Sequence, residues 1–503
     1  YTLNTTITDR PEPAESLRAA AAWSVGQEDA EILIDDGAIE RFRRGERPVG
    51  STETRGRMGA YLALRDIQLE GGASADWYTV VDTGLDHRAV LELREALRSP
   101  AELRTDLEAD LRADQQGLVA RVAAADGVQS SADEAATANH FANDLYNIMR
   151  GGTFEHGSAV PTADLGSYLR DQSPGVFERH RSWVEGLPEL LPLAELRAAA
   201  AATDDPQLGR LLGAYLPLTF SRRHGDPSRP WNRFSIRVRD EQGEPVYGYE
   251  GNWRDIFQNW EALGQSYPAY LPHFVSVFFN ASTADGYNPY RITRKGIDWE
   301  VMDPDDPWSF IGYWGDHQIV YLHRLLEAWE QHQPGEIQAR LDEASFASAD
   351  VPYRIAGFEA IARDPRDTIA FDERRHEAAL AAVADEGADA KLLHDDDGAV
   401  RLVTLGEKLL LPLLVKLTNL VPGSGIWLNT QRPEWNDANN ALAGWGISMV
   451  TLNAISGYVR FLSQVLPAEG RLSMSEPVAR LCDELAGILG SWDPSPDDAA
   501  RFE

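Results

Sequence analysis

Helical periodicity dominates the chain from about His87 to its C-terminus. Apolar residues recur there at three-, four- and seven-residue intervals, beginning with Leu91, Leu93 and Leu97, which is the spacing of amphipathic helices. Further helices are predicted over residues 206–217, 255–264, 268–280, 317–332, 369–383, 404–419, 437–466 and 475–490. Long, aromatic-rich loops join these helices, whereas the loops of a plain bundle are short. The pattern therefore predicts a mainly α fold built as a large helical barrel.

The first ninety or so residues follow a different pattern. Short alternating stretches at Glu31–Ile34, Ala60–Leu64 and Trp77–Val81 predict strands, with a helix predicted near Glu15–Trp23. Further on, Ser131–Glu134 has the form of a capping box, and the helix that it opens is predicted to end near Gly151. The expected organisation is a β-rich segment over 1–90, a helical linker with the first barrel helices over 91–205, and the rest of the barrel over 206–503.

Charge and composition exclude several classes of function. The net charge of −32 disfavours nucleic acid and anionic membranes as partners. Cys482 is the only cysteine, so neither an intramolecular disulfide nor a cysteine-based zinc site is expected. Gly-x-Gly-x-x-Gly and Walker patterns are absent, so no nucleotide cofactor is expected, and no metal site is predicted. No signal peptide is visible, which slightly favours the cytoplasm, and the oligomeric state stays open.

Tryptophan and acidic residues are concentrated in one part of the chain. Seven of the 14 tryptophans fall between Trp231 and Trp329, among many aspartates. Aromatic rings stack on the apolar face of a sugar ring, and carboxylates bind its hydroxyls or transfer protons, so this composition suits a carbohydrate site. Trp260 and Trp329 lie inside predicted helices and are expected to be core residues.

Three loop-to-helix junctions within or near this region carry the candidate site residues. The first junction, Gly251–Asn259, contains Trp253, Arg254, Asp255 and Gln258; Asp255 is either a helix N-cap or a ligand of sugar hydroxyls. The second and third junctions, Ile311–Gln318 and Asn429–Asn440, contribute Tyr313, Trp314, Asp316, His317, Arg432, Glu434, Trp435, Asn436 and Asp437.

One loop of this acidic sequence contains a cluster of cationic residues, called the cationic cluster. Arg222, Arg223, His224 and Arg229 share one loop that contains Gly and Pro. Guanidinium groups suit phosphate or a sugar carboxylate, but pairing with nearby acids in a structural network is an alternative. The same two alternatives, anion binding and pairing with nearby acids, apply to Arg291, Arg294 and Lys295. Pairing with nearby acids is favoured for these three residues.

The order of the three junctions resembles that of the cellobiose phosphorylase-like enzymes, glycoside hydrolase family 94. The resemblance implies an inverting (α/α)6-barrel enzyme that takes a di- or oligosaccharide. It rests on Trp253–Asn259, Trp314–His317 and Glu434–Ala438, which match the family segments for the −1 sugar subsite, the general acid and the active-site mouth. The resemblance makes Asp316 the general acid. The expected substrate-binding residues are Trp253, Arg254, Asp255, Gln258, Tyr313, Trp314, His317, Arg432, Trp435 and Asn436.

The sequence departs from this family pattern at three positions. Tyr249 replaces an Arg, His317 replaces the second Asp of the acid segment, and Ala438 replaces a Gly. The phosphate-binding His and Thr of the family have no recognised counterparts here.

Two reactions follow from an inverting mechanism. A hydrolase needs a second carboxylate about 6.5–9.5 Å from the acid, and Glu434 and Asp437 are the candidates. A phosphorylase needs cations that hold inorganic phosphate instead. Hydrolysis is slightly preferred, phosphorolysis is the alternative, and a non-catalytic sugar-binding protein is a third hypothesis.

Overall fold

The computed structural model describes most of the 503-residue chain. The described residues are 2–4, 16–50, 59–219, 239–240, 242–289, 291–299, 301, 318–364, 369–427, 446–467 and 469–492. Contacts divide the chain into two compact units, Tyr1–Val119 (unit 1) and Ala120–Glu503 (unit 2). Helices form most of the regular structure, and the sheets are small, so the predicted mainly α fold is confirmed.

The described residues of unit 1 form five strands and the first helices. They are β1 (Thr2–Asn4), β2 (Ser16–Val25), β3 (Glu31–Asp35), α1 (Gly37–Arg43), β4 (Gly59–Leu64), β5 (Tyr78–Leu85), α2 (His87–Ala96) and α3 (Pro100–Ala124), which runs past Val119. Strands β1, β2 and β5 form one antiparallel sheet in that order, and β3 pairs with β4. The three predicted strand stretches are therefore confirmed.

The helix predicted near Glu15–Trp23 is wrong, because Ser16–Val25 is strand β2. Its alanine-rich sequence favours a helix locally, but its backbone pairs with β5 from Ala19 to Val25 and with β1. Tertiary pairing thus overrides the local preference.

The first half of unit 2 runs to the middle of the chain. Its elements are α4 (Glu134–Gly151), β6 (Ala159–Pro161), α5 (Thr162–Gln172), α6 (Pro174–Glu185), β7 (Leu190–Pro192), α7 (Leu193–Ala202), α8 (Pro206–Ala214), β8 (Glu250–Asn252), α9 (Trp253–Ser266), a 3₁₀ helix (Pro268–Tyr270), α10 (Leu271–Ala281), β9 (Arg291–Thr293) and β10 (Gly296–Asp298). Strands β8, β9 and β10 form an antiparallel sheet in the order β10-β9-β8.

The second half of unit 2 continues the helical pattern. Its elements are α11 (Gln318–His332), α12 (Glu336–Ala339), β11 (Ala344–Phe346), β12 (Tyr353–Ile355), α13 (Phe358–Arg363), β13 (Ile369–Phe371), α14 (Glu373–Glu386), a 3₁₀ helix (Gly387–Lys391), β14 (Val403–Thr404), α15 (Leu405–Leu417), β15 (Leu420–Val421), β16 (Gly425–Trp427), β17 (Ile447–Ser448), α16 (Met449–Val465) and α17 (Glu476–Ser491). No described helix is long and apolar enough to cross a membrane.

The start of α4 differs from the predicted capping box. The N-cap is Asp133, whose carboxylate accepts hydrogen bonds from the backbone N–H groups of Ala135 and Ala136, and the helix begins at Glu134. Ser131 instead donates to the carbonyl of Asp133. The predicted end of the helix at Gly151 is confirmed.

A large continuous apolar core occupies the described part of unit 2, beside a small separate cluster of Ala347, Leu392 and Val400. Its largest fully buried side chains include Trp260 of α9 and Trp329 of α11, so the prediction that both tryptophans are core residues is confirmed. Trp260 stacks on Phe274 of α10 with ring centroids 5.0 Å apart, and Phe257 lies 4.7 Å from Phe278. These two pairs show that α9 and α10 pack antiparallel.

Lys408 is a charged group inside this core. It is 1% exposed, and its ammonium donates hydrogen bonds to the Phe279 carbonyl (2.9 Å) and to the Ser348 hydroxyl (2.8 Å). Burial lowers the pKa of Lys408 to about 7. The unfolded chain therefore binds more protons than the folded chain between that pKa and the normal lysine value, and stability should rise with pH in this window.

We expect the wild-type protein to gain about 2 kcal/mol of unfolding free energy between pH 7 and pH 9, relative to Lys408→Met. Methionine removes the titrating group and keeps an unbranched side chain. Urea unfolding of both proteins at pH 7, 8 and 9 measures the difference. Lys295→Met, at an exposed turn, is the control and should follow the wild type. A pH-independent difference for Lys408→Met would contradict the prediction.

Candidate functional site

The first predicted junction is the entry to α9. Strand β8 ends at Asn252, and Trp253, Arg254 and Asp255 form the first turn of the helix. The predicted helix start is confirmed, but a strand and not a loop leads into it. Asp255 is the third helical residue, so the alternative in which it caps the helix does not hold. A carboxylate in the first turn is still favoured by the helix dipole. Gln258 follows in the second turn and is half-buried.

The second predicted junction leads into α11. This helix begins at Gln318, two residues after Asp316, so the helix predicted to follow the junction is confirmed. Tyr313, Trp314, Asp316 and His317 themselves lie outside the described residues.

The remaining candidate residues are also outside the described part of the chain. They are Arg432, Glu434, Trp435, Asn436 and Asp437 of the third junction, and Arg222, Arg223, His224 and Arg229 of the cationic cluster. Of the helix predicted over 437–466, Met449–Val465 is confirmed as α16, but Ile447–Ser448 within that range is strand β17 because it pairs with β16. The roles of the candidate residues in the third junction and the cationic cluster therefore remain predictions.

Helices α9 and α11 run parallel, which brings their N-termini to the same end. They pack against each other, and a hydrogen bond of 3.3 Å joins His332 Nε2, at the end of α11, to Gln265 Oε1, near the end of α9. The two helices have nearly the same length, 14 and 15 residues. We call the end defined by their N-termini the entry end. Asp255 belongs to the first turn of α9, which lies at the entry end. In the sequence, Asp316 stands two residues before Gln318, the first residue of α11.

The segment before the third junction also reaches the entry end. Because α10 is antiparallel to α9, its C-terminus lies at that end, and the chain continues from there through Gly286 and Tyr287. The C-terminal part of α15 meets this segment: the Lys416 ammonium lies 5.7 Å from the centre of the Tyr287 ring, and a Cβ built on Gly286 would fall 2.7 Å from a Val415 methyl group. Residues 428–445, with the third junction, follow α15 in sequence.

A network of ion pairs ties the sheet β8–β9–β10 together at the entry end. Arg291 pairs with Glu250 (2.9 Å) and with Asp298 (2.7 Å), and Lys391 pairs with Asp298 (2.6 Å). Burial alone would raise the pKa of Asp298, but the hydrogen bonds from Lys391 and Arg291 hold it below its usual value. The structural alternative predicted for Arg291 is thus confirmed.

Arg294 is paired in the same way. Its guanidinium donates to Asp164 Oδ2 over 2.8 Å, and the Tyr215 hydroxyl donates to the same oxygen over 2.6 Å. Burial raises the pKa of Asp164 despite these partners. The ion pair of Arg294 and Asp164 links the β9–β10 hairpin to α5. Neither Asp164 nor Tyr215 was predicted from the sequence. Across the described ranges, no three His, Cys, Asp or Glu side chains are grouped to hold a metal ion.

The chain was compared with models of protein families. The sequence model of glycoside hydrolase family 149 insertion domain 1 matches residues 154–217. In the structure these residues run from the loop before β6, through helices α5 to α8, to just after α8. The match supports a carbohydrate-active enzyme related to the glycoside hydrolases, but it does not point to family 94 in particular. No curated protein matches the chain.

Proposed function

We propose that this protein is an (α/α)6-barrel enzyme that cleaves a glycosidic bond of a di- or oligosaccharide with inversion, and that Asp316 is its general acid. The family match carries the carbohydrate class of this proposal. The parallel packing of α9 and α11 supports the site, because it sets the first turn of α9 and the start of α11 at one end of the helices.

The barrel is part of the proposal. Helices α9 and α11 run in one direction and α10 runs in the other, as alternating helices of such a barrel would. We assign residues 91–205 to the linker and first barrel helices and 206–503 to the remainder. The family match over 154–217 adds that helices α5 to α8 resemble an insertion domain.

The candidate residues have proposed roles in acid catalysis and substrate binding at the entry end, and His317, Arg432 and Asn436 belong to the substrate-binding set. Asp316 protonates the leaving oxygen, which requires a raised pKa, and the neighbouring Tyr313 and Trp314 supply apolar surroundings that would raise it. Arg254, Asp255 and Gln258 bind hydroxyls of the sugar whose bond is cleaved. Trp253, Trp314 and Trp435 offer ring faces for stacking.

The family match favours phosphorolysis over the hydrolysis preferred from sequence, because family 149 is a phosphorylase family. In phosphorolysis, phosphate attacks the anomeric carbon, and Arg222, Arg223, His224 and Arg229 are the proposed cations that hold it. In hydrolysis, Glu434 or Asp437 would activate water instead.

We expect cleavage of a di- or oligosaccharide to require inorganic phosphate and to release a sugar 1-phosphate. Incubating the protein with a panel of disaccharides and oligosaccharides, with and without phosphate, and measuring free sugar and sugar 1-phosphate tests this. Release of free sugar alone, independent of phosphate, would establish hydrolysis. Binding of saccharides without any cleavage would leave the non-catalytic sugar-binding protein.

A further inference from the structure

Asn288 is a buried amide in the segment that leads from α10 to β9. Its side chain is 0% exposed, and neither its Oδ1 nor its Nδ2 has a hydrogen-bond partner in the part of the chain that the structure describes. Both groups have lost their hydrogen bonds to water, and this loss costs free energy when no new partner replaces the water. An orphaned polar side chain in a packed protein therefore calls for a physical explanation, and a ligand that supplies the partners is one.

Asn288 lies at the entry end, close to the start of α9. The chain reaches it from the C-terminus of α10, which lies at that end, and continues into β9. Arg291, the first residue of β9, is the antiparallel partner of Asn252, which directly precedes α9. Three residues of chain span at most about 11 Å, so Asn288 lies near the helical turn that contains Arg254 and Asp255.

The turn before Asn288 is held by its own hydrogen bonds. The Thr283 N–H donates to the Tyr287 carbonyl over 2.9 Å, and the Tyr287 N–H donates to the Thr283 hydroxyl over 3.0 Å. The Gly286 N–H donates to the Thr283 carbonyl over 3.1 Å, with Gly286 in the left-handed region at a φ of 81°. The backbone that carries Asn288 is thus fixed, so little conformational entropy is lost when its side chain binds a ligand.

The chemistry of an amide indicates what its partner is. The carbonyl oxygen accepts hydrogen bonds, and the NH₂ group beside it donates them. Two neighbouring hydroxyls of a sugar ring match this pair, because one donates to Oδ1 and the other accepts from Nδ2. The phosphate dianion matches less well, since its oxygens accept from Nδ2 and leave Oδ1 without a donor. A neutral diol is therefore the better ligand for Asn288.

We propose that the Asn288 amide binds two neighbouring hydroxyls of the sugar whose bond is cleaved, and so helps to select that sugar. The proposal rests on the proposed function, because it places this sugar at the entry end beside the first turn of α9. The sugar reaches the buried amide only when the residues that cover it move, so binding is coupled to an opening at the entry end. A sugar without one of the two hydroxyls leaves a buried group unpaired and is rejected.

The test is calorimetric titration of the wild type and of Asn288→Leu with D-glucose, D-galactose and D-mannose. We expect the wild type to bind at least one of these hexoses. Leucine has a similar shape but no hydrogen-bonding group, so the variant should bind that hexose at least about 10-fold more weakly, from the loss of two hydrogen bonds. Its midpoint of urea unfolding should be unchanged or higher, because the replacement removes buried polar groups that have no partner.

Tyr267→Phe is the matched control. Tyr267 is 4% exposed, its hydroxyl also has no partner among the described residues, and it follows the last residue of α9, at the opposite end from the entry end. This variant should also keep its urea midpoint, but it should bind the hexose as the wild type does. A crystal structure of the wild type with the hexose should place sugar hydroxyls within hydrogen-bond distance of Asn288 Oδ1 and Nδ2, and it gives this readout even if Asn288→Leu does not fold.

Four results would overturn the proposal: no hexose bound by the wild type, unchanged hexose affinity in Asn288→Leu, equal weakening by Tyr267→Phe, or an amide that contacts only water in the hexose complex. These outcomes are separable from those of the proposed function. Saccharide cleavage with the same KM in Asn288→Leu as in the wild type would reject the role of Asn288 alone. Hexose binding that depends on Asn288, in a protein that cleaves no saccharide, would reject the enzymatic function alone.

Discussion

Asp316→Asn is expected to fold normally and to lose roughly 10²- to 10⁴-fold in turnover of an unactivated saccharide, because the leaving oxygen can no longer be protonated. The amide keeps the shape of the carboxyl group, but its N–H protons are far too weakly acidic to be transferred to the leaving oxygen. Measuring kcat on the best substrate of the saccharide screen tests this loss. A substrate with a good leaving group needs little protonation, so its cleavage by the same variant should be reduced much less.

The matched control for this variant is Asp114→Asn, on the exposed surface of α3 in unit 1. It makes the same chemical change and should retain wild-type turnover. Full activity of Asp316→Asn on the unactivated substrate would exclude Asp316 as the general acid. An equal loss on both substrates would point to a role in binding or folding instead.

Local sequence signals predicted most of the long helices but not the short strands. The predicted ranges overlap α8 to α11 and α14 to α17, which have 9 to 17 residues and show several turns of apolar periodicity. No separate range was predicted for α5 to α7. Strands β6 to β17 have only two or three residues each, too few for an alternating pattern to appear. Their positions depend on pairing partners, which the sequence does not mark.

The entry to α9 shows how far the site could be predicted. The Trp253–Asp255 turn was found because tryptophan, arginine and aspartate stand together at a predicted helix start. By contrast, Arg294 meets Asp164 across 130 positions of sequence, and Tyr168 and Tyr249 line one cavity from distant segments. Such pairs carry no local signal, because the fold alone brings them together.

The pair of Arg210 and Asp389 is a further contact of this kind, and it lies deep in unit 2. Its partners are 179 residues apart and lie in α8 and in the 3₁₀ helix Gly387–Lys391. Their side chains are 3% and 6% exposed. The pair joins the segment 154–217, which matches the insertion domain, to the second half of the unit. Gly387 adds a close contact there, since a Cβ on it would fall 2.6 Å from the Asp171 carbonyl of α5.

We expect Asp389→Ala to destabilise unit 2 by about 3–5 kcal/mol, because it leaves the Arg210 cation buried without its carboxylate. Urea unfolding gives the change in unfolding free energy. The matched control is Asp395→Ala, whose pair with Arg401 is about half exposed on both sides (52% and 49%) and should contribute at most about 1 kcal/mol.

A double replacement separates the charge effect from lost packing. Arg210→Met combined with Asp389→Leu removes both charges and fills the space with apolar groups, so most of the lost stability should return. If the double variant is as unstable as Asp389→Ala, the loss arises from packing and the buried charge is not its cause. If Asp389→Ala is no less stable than Asp395→Ala, then this pair does not hold the 154–217 segment in place.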